Sequence, residues 1–99
     1  MAENPLKTFE KLDPKLLKLV EDNRQLALSD GVLPKKFKLL IAMVLDASQG
    51  AVGGVTSLAR AAMQAGASKE EIAEALRVAH YITGVGSIYT AARALNELF

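Results

Sequence analysis

The stretch FKLLIAMVLDASQGAVGGVTSLARAAMQA, residues 37–65, decides how this chain folds. At about 100° per residue, Phe37, Leu40, Ile41, Val44 and Leu45 fall on one face of a helix. The opposite face would be polar on a surface helix, but it carries Leu39, Ala42 and Met43. A helix apolar on both sides is buried on both sides, as a central helix, a subunit interface or both. Gly50, Gly53 and Gly54 then break the pattern and permit a tight turn. Val55, Leu58, Ala59, Ala62 and Ala65 recur at helical spacing, with Ser57, Arg60 and Gln64 opposite, until Gly66 stops the second helix. Its small residues let a neighbouring helix come close.

Upstream, Asp13 reads as an N-cap with Pro14 at the first helical position, where a missing N–H costs nothing. Leu16, Leu17, Val20 and Leu26 form the expected inner stripe of that helix, with Lys15, Lys18, Glu21 and Arg24 facing away. Gly31 suits a left-handed C-terminal cap. Residues 1–12 are expected as an N-terminal arm pinned by Leu6, Phe9 and Leu12. Pro34 opens the long helix, and Lys35, Lys36 and Lys38 near its start read as a solvated cluster.

Downstream, Ser68-Lys69-Glu70-Glu71 is a capping box. It launches a helix with Ile72, Leu76, Ala79 and Thr83 inward and Glu70, Glu74, Arg77 and Tyr81 outward. Gly84-Val85-Gly86 breaks it, and Ser87 is placed to cap a last helix through Ile88, Ala91, Ala92, Leu95 and Leu98. Strand patterns are absent. The expectation is an all-α fold, about five helices in an antiparallel cluster forming a single domain over residues 1–99.

Composition narrows the function. Apolar residues make up 51% of only 99, more than one small core needs, which points to burial between subunits. Twelve basic against 11 acidic residues leave no charge asymmetry for nucleic acid or acidic lipid. Without cysteine there is no disulfide, thiol catalysis or thiolate metal site, and one His cannot build a histidine-rich metal site within a subunit. The longest apolar run, Leu39 to Leu45, is too short to span a membrane, and residues 1–12 lack the apolar centre of a signal peptide. A soluble, cytoplasmic protein without metal or cofactor is expected.

The order of long apolar helix, glycine break, small-residue helix, Gly-Ala-Ser and Glu-Glu-Ile resembles the carboxymuconolactone decarboxylase family, which includes the alkylhydroperoxidase D-like proteins. The resemblance covers residues 33–95, and its best single piece is LARAAMQAGASKEEIAEAL, Leu58 to Leu76. It implies a helical homo-oligomer, a trimer or hexamer. Redox-active members carry a C-x-x-C pair at a helix start, where the thiol pKa is lowered, with a Glu and a His to move protons. The resemblance places the two cysteines at Ala51 and Gly54, the His at Leu58 and the Glu at Leu39. None of these four offers an acid, base or nucleophile, so disulfide-based peroxidase chemistry is expected to be lost. The decarboxylase branch is expected to keep polar residues, including a His, in this helix, where Leu58 stands instead.

Two other residues are candidates for chemistry. His80, the single imidazole, sits at the edge of an apolar face one turn before Gly84. It is either a packed histidine with one hydrogen bond or a general base in a pocket near Gly84–Gly86. Asp46 lies on the second apolar side of the long helix. It either pairs with Arg60, Arg77 or Arg93, or serves as a displaced catalytic or ligand-binding acid. The Gly50–Gly54 turn could present N–H groups to an anion, though a tight turn accounts for those glycines. Three readings follow: a thiol-free oligomer binding a small apolar molecule, an enzyme acting on a small carboxylic acid or lactone through His80 and Asp46, or an assembly protein.

Overall fold

The computed structural model describes residues 4–99, and the described residues contain helices and no strand. A 3₁₀ turn, Pro5–Thr8, leads into α1 (Phe9–Leu12), α2 (Pro14–Leu28), α3 (Lys35–Ser48), α4 (Val52–Gln64), α5 (Lys69–Thr83) and α6 (Gly86–Leu95). The count is six α-helices against about five expected, the addition being α1. Residues 1–3 of the expected arm lie outside the described residues. From Asn4 onward that segment is coiled, because the Asn4 side chain accepts from the Leu6 N–H at 3.0 Å and Pro5 is preset for the first turn.

Local signals set most boundaries. Asp13, extended at φ −159°, accepts from the Leu16 N–H at 3.0 Å and separates α1 from α2. Both bonds of the Ser68–Glu71 capping box are present, at 3.0 and 2.9 Å. Glu71 also pairs with Lys36 at 3.0 Å, which fastens the start of α5 to α3. These partners hold its carboxyl below the ordinary range, first through the Ser68 backbone N–H and then through Lys36.

Four local expectations are corrected. Gly31 is not a left-handed cap: α2 ends at Leu28, Ser29 is extended, and Lys38 donates to the Ser29 carbonyl at 2.7 Å. Asp30 in turn accepts from the Lys35 N–H at 2.7 Å, so side chains close this corner. The lysines at the start of α3 are therefore not all solvated: Lys38 and Lys36 are half-buried and bonded, with Lys36 also 5.0 Å from the centre of the Phe37 ring. The glycine break is short as well. Gly50 alone takes a positive φ, +75°, while Gly53 and Gly54 fall inside the first turn of α4. Ser87 likewise lies within α6, buried, with its hydroxyl bonded to that of Thr83.

The core forms where α3 and α4 meet α5 and α6. Leu39, Leu40, Met43 and Ala47 pack against Val55, Ala59, Ala62, Ile72 and Ala94. Met43, Ile72 and Val55 are its largest fully buried side chains, each contributing about 1.5–3 kcal/mol by removal from water. The alanines bring α4 and α6 close enough for Thr56 Oγ1 to donate to the Ala94 carbonyl at 3.1 Å. Helix α3 is apolar on two sides, as its sequence requires, but its own chain covers one. Phe37, Ile41 and Leu45 remain 42, 47 and 57% exposed.

Of the inner stripe expected on α2, Leu17 is half-buried, while Leu16, Val20 and Leu26 are exposed. Glu21, Arg24 and Gln25 face α3 and α4 across a cleft, whereas Leu16, Leu19 and Leu26 point outward. Its own body half-buries Leu17 and Leu28 and leaves Leu16, Leu19 and Leu26 exposed.

Candidate functional site

The four positions at which the resemblance puts the redox residues lie in apolar surroundings or at the start of α4. Leu39 is buried in the core at 2% exposure, and Leu58 packs half-buried against the same cluster. Ala51 caps the start of α4 without a side-chain hydrogen bond, and Gly54 lies in its first turn. The centre around Leu39 is filled by Met43, Val55 and Ile72, so the apolar substitutions consolidate a core.

Asp46 is the carboxylate that stands beside one of these positions, Gly54. The turn after α3 fixes its backbone: its carbonyl accepts from the Gln49 N–H at 3.1 Å and the Ala51 N–H at 3.0 Å. Its half-buried carboxylate then lies against Gly54. A Cβ added to Gly54 would overlap Asp46 Oδ2 and come within 2.9 Å of its Cγ. The acid thus fills the space of a side chain at Gly54, where the resemblance puts the second cysteine, beside a helix start whose first N–H groups have no intrahelical acceptors and whose dipole favours negative charge. Among the described residues, neither Arg60, Arg77 nor Arg93 forms an ion pair with it.

His80 lies elsewhere. It is exposed on α5 and edges a groove of about 430 Å³ whose walls are Ala73, Leu76, Arg77, Val85 and Ile88. This is the neighbourhood of Gly84–Gly86 that the sequence suggests, but Asp46 does not line the groove. The two candidates share no cavity.

A separate cleft opens above Leu39. It measures about 450 Å³, within the range of small-molecule sites, and lies between α2 and the α3–α4 pair. Leu28 and Ala61 supply apolar surface, with Leu39 buried beneath them, while Arg24, Lys35, Glu21, Gln25 and Ser29 add two cations, a carboxylate, an amide and a hydroxyl. Sequence reasoning missed this cleft because it placed Arg24 on the outer face of α2. A larger hollow, about 690 Å³, is lined only by residues of the Asn4–Leu12 segment and has no second wall. No cluster of three or more His, Asp or Glu that could hold a metal occurs among the described residues. No helix there is long and apolar enough to cross a membrane.

Comparison with known proteins agrees with this architecture. The family model described as the carboxymuconolactone decarboxylase family matches residues 14–97. A carboxymuconolactone decarboxylase family protein from Legionella pneumophila, solved in its apo form, superimposes with a TM-score of 0.85 at 35% identity. That match covers 92% of this chain and 81% of the other. A protein from Burkholderia xenovorans bearing the same family name gives a TM-score of 0.84 at 24% identity, over 98% of this chain and 80% of the other, a likeness of fold alone. No curated protein matches the chain significantly.

Proposed function

From the premise that the chain belongs to the carboxymuconolactone decarboxylase family, we propose that it is a thiol-free, homo-oligomeric member that binds a small, largely apolar carboxylic acid. The observation that carries this reading is the cleft above Leu39. Its apolar surface comes from Leu28 and Ala61 over the buried Leu39, and the cations of Arg24 and Lys35 outnumber the one carboxylate, Glu21, that lines it. A planar guanidinium takes a carboxylate bidentately, and the apolar surface takes the rest of the molecule. A chain with no cysteine cannot run a disulfide cycle by itself, which leaves binding rather than peroxide reduction. Assembly into a trimer or hexamer is part of the proposal, since Phe37, Ile41 and Leu45 need cover.

Calorimetric titration with benzoate, hexanoate and their neutral amides tests the binding reading. The acids bind saturably, the amides bind at least tenfold more weakly, and Arg24→Ala removes the difference. Equal affinity for acids and amides, or no heat with any of them, refutes the assignment.

A second reading, acid–base catalysis on a small carboxylic acid or lactone, is favoured by the position of Asp46 beside Gly54 at the start of α4. It rests on Asp46 without His80, since the two line no common cavity. Asp46→Asn should then abolish turnover of a small lactone while His80→Ala leaves it intact. Unchanged turnover in Asp46→Asn removes this reading.

A further inference from the structure

The cleft between α2 and the α3–α4 pair carries more charge than a simple apolar acid needs. Arg24 and Lys35 suffice for one carboxylate, yet Glu21 lines the same cleft. A fixed carboxylate beside the site repels an acid ligand unless that ligand also carries a cation.

Glu21 and Arg24 stand three residues apart on α2, which makes them neighbours on one face, with Cβ atoms about 5–6 Å apart. Opposite charges at that spacing are able to pair, but among the described residues these two form no ion pair with each other. Lys18, the cation three residues before Glu21, is taken by Asp22 at 2.8 Å. Lys35 forms no ion pair among the described residues either, while its backbone N–H donates to Asp30 at 2.7 Å. Lys38 donates to the Ser29 carbonyl at 2.7 Å, so the end of α2 is tied to the start of α3 at both points. The cleft thus presents one carboxylate and two cations on walls that are fastened together.

We propose that the ligand of this cleft is an α-amino acid with an apolar side chain. The inference rests on the carboxylic acid reading above and deepens it by naming the ligand class. The ligand's ammonium bonds to Glu21, and its carboxylate to Arg24 on α2 and Lys35 on α3. An α-amino acid carries both charges on one carbon, which suits an acidic and a basic side chain less than one helical turn apart. From Arg24 to Leu28 the helix rises a further 6 Å or so, about 1.5 Å per residue, and the ligand's side chain lies there over Leu28 and Ala61. Gln25, four residues after Glu21, adds an amide able to accept from the ammonium or donate to the carboxylate.

Calorimetry near neutral pH with L-phenylalanine, 3-phenylpropanoate and phenethylamine tests the class, since the last two each lack one of the two charges. The expected result is that phenylalanine binds about tenfold more tightly than either, the worth of one charge-assisted contact. Glu21→Gln, an exposed substitution whose fold circular dichroism checks, weakens phenylalanine about tenfold and leaves 3-phenylpropanoate bound as tightly or more so. If 3-phenylpropanoate binds as tightly as phenylalanine and depends on Arg24, the amino acid class is overturned and the carboxylic acid reading stands. If phenylalanine binds more tightly but Glu21→Gln does not weaken it, the placement of the ammonium at Glu21 is overturned. Binding of neither acid overturns both readings.

Discussion

The carboxylate of Asp46 occupies the space that a side chain at Gly54 would need. The two residues face each other across the turn through Gly50, on different helices. Gly54 is thus kept small by a neighbour rather than by its backbone, which is ordinary helix. Gly53, one residue earlier in the same turn, has open space around its Cα and serves as its natural control.

Gly54→Ala should therefore destabilise the fold by about 1–3 kcal/mol through overpacking. In an Asp46→Ala background the penalty should vanish, and the helix preference for alanine should add up to about 1 kcal/mol of stability. Gly53→Ala should be neutral or stabilising in either background. Urea unfolding of the two single variants, their double variant and the Gly53 control checks the coupling.

The same contact governs any return of thiol chemistry. A51C with G54C should not form a disulfide cleanly in the parent, because the Cβ of the second cysteine meets Asp46 Oδ2 and Cγ. Adding Asp46→Ala should let the pair oxidise at the start of α4. Free-thiol titration after mild oxidation reads this, and equal oxidation in both backgrounds would contradict the steric account.

Met43 and Ile41 separate core from outer face within α3. Met43 is fully buried in its own chain, so Met43→Ala should cost about 2–5 kcal/mol. A charge there would unfold the subunit rather than probe an interface. Ile41→Lys, at a site 47% exposed, should instead keep the fold and lower the subunit number. Circular dichroism with light scattering distinguishes the two effects.

Glu71 makes acid stability testable. Its carboxyl is held below the ordinary value of 4.5 by the Ser68 backbone N–H first and by Lys36 second. A lowered folded-state value means that its stabilisation is present above pH 4.5 and is lost as pH falls through the folded value. Glu71→Gln should flatten that part of the stability curve below pH 4.5 and leave its alkaline side unchanged. Unfolding midpoints measured from pH 2.5 to 7 test the direction.

What the sequence made legible was local. Asp13-Pro14 and the Ser68–Glu71 box place helix starts because their partners are 3 residues away. The two apolar sides of α3 were legible for the same reason, but which side the chain itself covers depends on packing among α4, α5 and α6. Of the stripe expected on α2 only Leu17 is half-buried, because the roll of that helix is set by its contact with α3 and not by its own spacing. Leu39, Ala51, Gly54 and Leu58 could be located by resemblance, whereas the meeting of Asp46 and Gly54 could not. It depends on how tightly the turn at Gly50 folds α4 back against the end of α3.

The most direct measurement is a methyl-resolved magnetic resonance titration of the intact protein with benzoate. The account predicts saturable shifts at the methyls of Leu28 and Ala61, the apolar surface of the cleft, and of Leu39 beneath them, and their loss in Arg24→Ala. Shifts confined to Val85 and Ile88, beside His80, or no shifts at any concentration up to solubility, would contradict it.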